Sequence, residues 1–188
     1  IWRSYVPPLA KDRIVTILGL GTLGTACGIA LKRLGFNVRG WSRREKRVDG
    51  ILCFYGDDQV DSSLMDADIV VLLLPDTPLT QNILNQHTLN LLKKGAFVLN
   101  PGRGPLIDDD ALLAALETGQ IEHATLDVFR IEPLPQNHQY WSNNKVTVIP
   151  HKASETRPKT ASQVIAMNIE RAENGQELLY LVDRENGY

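Results

Sequence analysis

Arg13-Ile14-Val15-Thr16-Ile17-Leu18-Gly19-Leu20-Gly21-Thr22-Leu23-Gly24 is the stretch that decides the fold. An apolar strand over Arg13–Leu20 runs straight into a G-x-G-x-x-G, and Thr22–Leu34 then repeats apolar residues at helical spacing until Gly35 stops it. In that context each glycine has its own reason. Gly19 permits the tight turn, Gly21 lets a pyrophosphate approach the backbone, and Gly24 lets the helix pack closely on the sheet. Thr22 and Leu23 open the helix, whose first N–H groups face the anion. A glycine-rich turn with no ligand is the alternative that this context disfavours.

Outward from the loop, short apolar runs alternate with amphipathic ones. Phe36–Trp41, Ile69–Leu74, Ala96–Asn100, Ala124–Phe129 and Val146–Ile149 read as further strands, with two short helical segments before Ala96 and a helix over Asp108–Glu117. A long helix over Pro158–Asn174 has no strand after it. The pattern predicts an α/β fold, a Rossmann-type doubly wound parallel sheet. Asp108 to Asp110 read as the cap and first turn of the helix they open, in preference to metal ligands.

Composition excludes several classes of partner. Of 188 residues, 43% are hydrophobic and 22% charged, and a formal net charge of -2 offers no basic surface to nucleic acid or anionic membrane. The longest apolar run, Ile69 to Pro75, is too short to cross a bilayer. Cys27 and Cys53 lack metal-ligand spacing and read as buried thiols of a reducing cytoplasm, so no metal site is expected. His87, His123 and His138 read as surface residues.

The nucleotide's identity should be written at the end of the second strand, where an acid would bind the ribose hydroxyls of NAD. The residues there are Trp41-Ser42-Arg43-Arg44, a hydroxyl and two guanidiniums suited to a 2′-phosphate. NADP(H) is therefore preferred, with NAD(H) as the alternative. The competing reading makes Arg43, Arg44, Lys46 and Arg47 a solvated charged loop.

Further polar residues gather at the carboxyl ends of the strands, where doubly wound folds bind ligands. Asn100-Pro101-Gly102-Arg103-Gly104 places an arginine between two glycines, Asp127-Val128-Phe129 and Glu132-Pro133-Leu134-Pro135 follow the next strand, and Pro150-His151 follows the last. A strand-end arginine can clamp a carboxylate with two parallel hydrogen bonds. This ordered set, from about Ile14 to the end of the chain, resembles the D-isomer-specific 2-hydroxyacid dehydrogenase family. Trp41-Ser42-Arg43, Thr156-Arg157-Pro158 and the terminal Val182-Asp183-Arg184 with Gly187-Tyr188 are most similar to its glyoxylate/hydroxypyruvate reductase branch.

The resemblance implies a cytoplasmic homodimeric oxidoreductase that reduces small 2-keto acids to D-2-hydroxy acids. It makes His151 the acid that protonates the carbonyl oxygen, Glu132 the partner that orients His151, and Arg103 the clamp on the substrate carboxylate. It places Asp127 beside the nicotinamide carboxamide, Leu74, Pro75 and Thr77 on the adenine side, and Pro101 among the cofactor contacts. A binding module that senses NAD(P) without catalysis is the alternative, and the joint presence of Arg103, Glu132 and His151 disfavours it.

Three features depart from the family pattern. Pro101 and Pro105 flank the Arg103 loop, Lys152 follows His151, and the family's separate substrate domain is essentially missing. Residues 1–12 are expected to be a connection from an absent upstream domain, 13–152 the cofactor domain, and 153–188 a helix and return segment toward the substrate domain. Without the second cleft wall, the isolated chain is expected to bind dinucleotide but turn over 2-keto acids poorly.

Overall fold

Seven strands make one all-parallel sheet: β1 (Ile14–Leu18), β2 (Asn37–Ser42), β3 (Leu52–Tyr55), β4 (Ile69–Leu72), β5 (Ala96–Asn100), β6 (Ile121–Leu126) and β7 (Val146–Val148). Their order is β3-β2-β1-β4-β5-β6-β7, so the chain winds outward from β1 in one direction and, after returning to β4, in the other. This is the doubly wound Rossmann arrangement, whose switch point lies between β1 and β4. The computed structural model describes residues 6–184, which divide between Pro150 and His151 into two units.

The first unit holds the sheet and the helices α1 (Thr22–Arg33), α2 (Val60–Leu64), α3 (Gln86–Leu91) and α4 (Asp109–Thr118). Alternation along the strands sends neighbouring residues to opposite faces. Ile17 packs with Val38, Ile51 and, from α1, Cys27 and Leu31. Leu18 belongs instead to the larger cluster of Leu72, Val98 and Leu126 with Leu64, Leu89 and Leu112 from α2, α3 and α4. Each fully buried leucine in this set contributes roughly 1.5–3 kcal/mol of transfer free energy.

Local chemistry sets the helix ends. Asp108 caps α4 by accepting from the Ala111 amide at 3.1 Å, and Gly119 ends that helix with a left-handed φ of 74°. The Asn85 side chain accepts from the Thr88 amide while Thr88 Oγ1 accepts from the Asn85 amide, so α3 opens on a reciprocal cap. The second unit carries α5 (Pro158–Glu173), with Pro158 at its first position and no buried residue. Asn168 holds the tail against this helix through both the amide and the carbonyl of Leu179.

Several sequence expectations shift. The six expected strands are seven, because Leu52–Tyr55 forms an edge strand whose two end residues stay exposed. β6 begins three residues before the expected Ala124 and ends at Leu126, where the Asp127 amide bonds Asn100 O and the chain leaves the ladder. Between β4 and β5 there is one helix, α3, the other expected segment being a turn over residues 78–82. Cys27 and Cys53 are half-buried beside the Ile17 cluster. Among the three expected surface histidines, His87 is exposed and pairs with Asp61 at 2.7 Å, whereas His123 and His138 are half-buried.

Candidate active site

The glycine loop is built by close approach. Gly19 has φ 111°, and a Cβ there would lie 2.4 Å from Leu73 O, so the turn after β1 rests on the backbone that leaves β4. At Gly24 a Cβ would fall 1.8 Å from Gly19 O and 3.4 Å from Ile17, so the glycine brings α1 down onto the loop as well as the sheet. A Cβ at Gly21 would meet nothing within 4 Å, which leaves open space at the helix mouth. Gly21 is the N-cap of α1, without a side-chain cap and without an acid in the first turn. A helix end of this kind offers its first amides and its positive dipole end to an anion, so the loop fits a dinucleotide pyrophosphate.

The end of β2 supports that loop. Trp41 O accepts from the amides of Gly19 and Leu20, at 2.9 and 3.2 Å. Its indole, expected as a cofactor contact, is instead only 4% exposed and donates to Gly56 O at 2.8 Å. Ser42 Oγ donates to Arg44 O at 2.9 Å and so shapes the turn that carries the half-buried Arg43 and exposed Arg44. The next acid along the chain, Glu45, is ion-paired to Arg47 at 3.2 Å.

Lys46 enters the sequence reading only in the competing alternative of a solvated charged loop. Its half-buried Nζ donates to Leu20 O inside the glycine loop, so it lies against the nucleotide side of the fold. No local pattern distinguishes it from Arg47; the contact arises because the 42–46 turn folds back over the glycine loop.

Leu74, Pro75 and Thr77 follow β4 and are half-buried. The buried Thr80 hydroxyl closes their turn by donating to Pro75 O at 2.7 Å and accepting from the Thr77 amide at 2.9 Å. Leu74 lies beside the glycine loop, since a Cβ at Gly19 would be 3.1 Å from its amide.

Asn100 builds the next loop, after β5. Its side chain, almost fully buried, donates to Arg103 O at 2.9 Å and accepts from the Gly102 amide at 3.1 Å. These bonds hold Pro101-Gly102-Arg103 in one conformation, with Arg103 extended at φ -143° and its side chain exposed. A Cβ at Gly104 would lie 2.0 Å from Phe129 C and 2.4 Å from Arg130 N, so the Arg103 loop sits directly on the chain leaving β6. Gly104→Ala is expected to lower stability by about 1–3 kcal/mol, because two backbones would have to separate. Chemical denaturation measures the loss.

Asp127 follows β6 and is 3% exposed. Further along, the Glu132 carboxylate accepts from the Phe129 amide at 2.9 Å, in a turn whose Glu132–Pro133 bond is cis. Arg103, Asp127 and Glu132 therefore occupy adjacent loops at the carboxyl ends of neighbouring strands. His151 opens the second unit, one residue past the Pro150 that ends the first. Its φ of 50° is left-handed, a conformation that costs a non-glycine residue about 1–3 kcal/mol and persists where surroundings enforce it.

Among the described residues no group of histidine, cysteine and acidic side chains could hold a metal ion. The first unit presents a helix end open to an anion, a cationic strand end beside it, and an arginine and two acids on the loops after β5 and β6.

Comparison with known proteins identifies the class. Residues 2–153 match the family model described as D-isomer specific 2-hydroxyacid dehydrogenase, NAD binding domain, and the chain belongs to that family. It is 43% identical over 187 residues to a glyoxylate/hydroxypyruvate reductase A of Serratia proteamaculans, covering 100% of this chain and 60% of that relative. A D-isomer-specific 2-hydroxyacid dehydrogenase of Xanthobacter autotrophicus Py2, solved with NADPH and MES, superposes with a TM-score of 0.96 at 44% identity, covering 100% of this chain and 77% of that one. An NADPH-dependent glyoxylate/hydroxypyruvate reductase of Sinorhizobium meliloti, solved with NADP and sulfate, gives a TM-score of 0.95 at 33% identity over 100% of this chain and 60% of that one. The chain thus spans 60% of the length of the curated relatives it matches.

Proposed function

We propose that this chain supplies the cofactor domain and the catalytic side chains of an NADP(H)-dependent reductase that converts small 2-keto acids, glyoxylate and hydroxypyruvate among them, to D-2-hydroxy acids. The observation that carries the reading is the anion-ready glycine loop beside a strand that ends in Ser42-Arg43-Arg44 in place of an acid. Solved relatives that bind NADPH or NADP support the cofactor, and the named activity of curated relatives supports the substrate class. A homodimer and a cytoplasmic location complete the proposal. No helix among the described residues is long and apolar enough to cross a membrane.

In this reading Gly19, Gly21 and Gly24 with Thr22 and Leu23 hold the pyrophosphate. Ser42, Arg43 and Arg44 bind the 2′-phosphate, and Lys46 adds a further cation to the same side. Leu74, Pro75 and Thr77 flank the adenine, while Pro101 and Asp127 lie toward the nicotinamide. The cofactor, when bound, supplies the hydride. Arg103 clamps the carboxylate of the keto acid with its forked donors and polarises the adjacent carbonyl. His151 gives a proton to the carbonyl oxygen, and Glu132 orients the imidazole and stabilises its charged form. The opposite wall of the cleft comes from a substrate domain.

Arg43→Ala tests the cofactor assignment. Loss of a charge-assisted hydrogen bond, worth about 1.5–3 kcal/mol, should weaken NADPH binding by roughly 10- to 150-fold and leave NADH nearly unchanged. Fluorescence titration of both nucleotides at one salt concentration reads the ratio. Equal losses for the two would remove the 2′-phosphate site from Arg43.

A further inference from the structure

Three segments at the carboxyl end of the sheet, after β4, β5 and β6, are joined by one guanidinium. Arg130 Nη2 donates to the side-chain oxygen of Asn82, to Ile107 O, and to Pro105 O at 3.4 Å. Its Nε faces Asp109 Oδ2 at 3.6 Å, and Asp109 Oδ1 accepts from the Tyr140 hydroxyl at 2.9 Å. Tyr140 is 2% exposed, and burial, then the Asp109 carboxylate, pushes its phenol far above the ordinary value. The phenol therefore stays a donor to Asp109 throughout the working pH range.

The positions of these acceptors give the contact a consequence. Pro105 and Ile107 belong to the loop that carries Arg103, two residues before Pro105. Arg130 follows Phe129, whose amide holds Glu132, and the Gly104 backbone is seated on this same Phe129–Arg130 segment. Asn82 strengthens the join, because its own amide bonds Pro105 O at 2.9 Å and Leu84 then pairs with Leu106 and Asp108. The Arg130 guanidinium thus crosses from the turn carrying Glu132 to the loop carrying Arg103.

We propose that Arg130 is a positioning residue for the reaction: its guanidinium, anchored through Asp109 to the buried Tyr140, fixes the separation and orientation of the Arg103 loop and the Glu132 turn. The inference rests on the roles given to Arg103 and Glu132 above. Its donors are directed at protein acceptors on separate segments, so it acts through its neighbours. A planar fork with donors in several fixed directions suits that task, and a lysine ammonium on one flexible stem does not. Misplacing a clamp by about 1 Å can cost up to about 10²-fold in rate, so a brace of this kind carries catalytic weight without touching substrate.

The test compares wild type, Arg130→Ala and Arg130→Lys in the natural protein that carries this chain, with NADPH affinity, kcat and KM for a 2-keto acid, and amide exchange over residues 102–107 as readouts. We expect Arg130→Ala to lose at least about tenfold in kcat/KM, to keep NADPH affinity within about twofold, and to exchange faster over 102–107. Arg130→Lys should recover little of the rate, whereas added guanidinium ion should restore Arg130→Ala saturably. Wild-type kcat/KM in Arg130→Ala would overturn the inference. So would a loss that guanidinium does not rescue and that falls equally on NADPH affinity, the mark of a purely structural role. If wild type turns over no 2-keto acid, the reading of the site fails instead. The exchange then decides the brace by itself: acceleration upholds it and unchanged protection overturns it.

Discussion

His151→Asn is expected to lower kcat for 2-keto acid reduction by about 10²–10⁴-fold, the usual contribution of a positioned proton donor. Asparagine is the informative replacement because His151 occupies a left-handed φ of 50°, which asparagine tolerates better than most side chains. The backbone after Pro150 is then preserved while the imidazole is lost. NADPH affinity should stay within about twofold of wild type, since the reading gives His151 no contact with the nucleotide phosphates. Rapid-quench or steady-state kinetics beside a binding titration separates the two quantities. A variant that kept its rate would show that the proton comes from elsewhere.

Arg103→Met should cost about 10²–10³-fold in kcat/KM, since a forked pair of charge-assisted hydrogen bonds, about 1.5–3 kcal/mol each, is lost. Most of the loss should appear in KM, because the clamp acts on the substrate carboxylate before and during hydride transfer. Arg103 is exposed, and Asn100 holds its loop through backbone atoms, so stability should change by less than about 0.5 kcal/mol. Arg103→Lys should recover only part of the loss, since an ammonium cannot reproduce two parallel hydrogen bonds. The measurement is a substrate titration at saturating NADPH, and an unchanged KM in Arg103→Met would sink the clamp.

The parts of the fold that could be read from sequence were those in which a local pattern and a physical need coincide. Gly19 and Gly24 are such a case, because a turn and a close backbone approach each exclude a side chain there, while Gly21 leaves the helix mouth open. The strand over Ala96–Asn100 was legible to the residue, bounded by Gly95 on one side and Pro101 on the other. Asp108 announced the start of α4 through its capping chemistry.

The features that no local pattern reveals depend on partners distant in the chain. Leu52–Tyr55 is a four-residue edge strand with exposed ends, too short for a period to show. Val128 and Phe129 are apolar because they pack, so their pattern suggests strand although pairing stops at Leu126. Trp41 groups by sequence with the cofactor-facing end of β2, but its indole turns into the core while its carbonyl supports the glycine loop. Arg130 was invisible because its acceptors lie 23, 25 and 48 residues away, two of them backbone carbonyls that leave no trace in side-chain pattern.

The most direct test of the whole account is a hydride balance on the natural protein that carries this chain. NADPH and hydroxypyruvate are mixed with it, nicotinamide absorbance is followed, and the product is resolved by configuration. The account predicts one D-glyceric acid formed for each NADPH oxidised, with NADH a much poorer donor. A protein that bound NADPH tightly, yet left it unoxidised in the presence of glyoxylate, hydroxypyruvate and other small 2-keto acids, would contradict it.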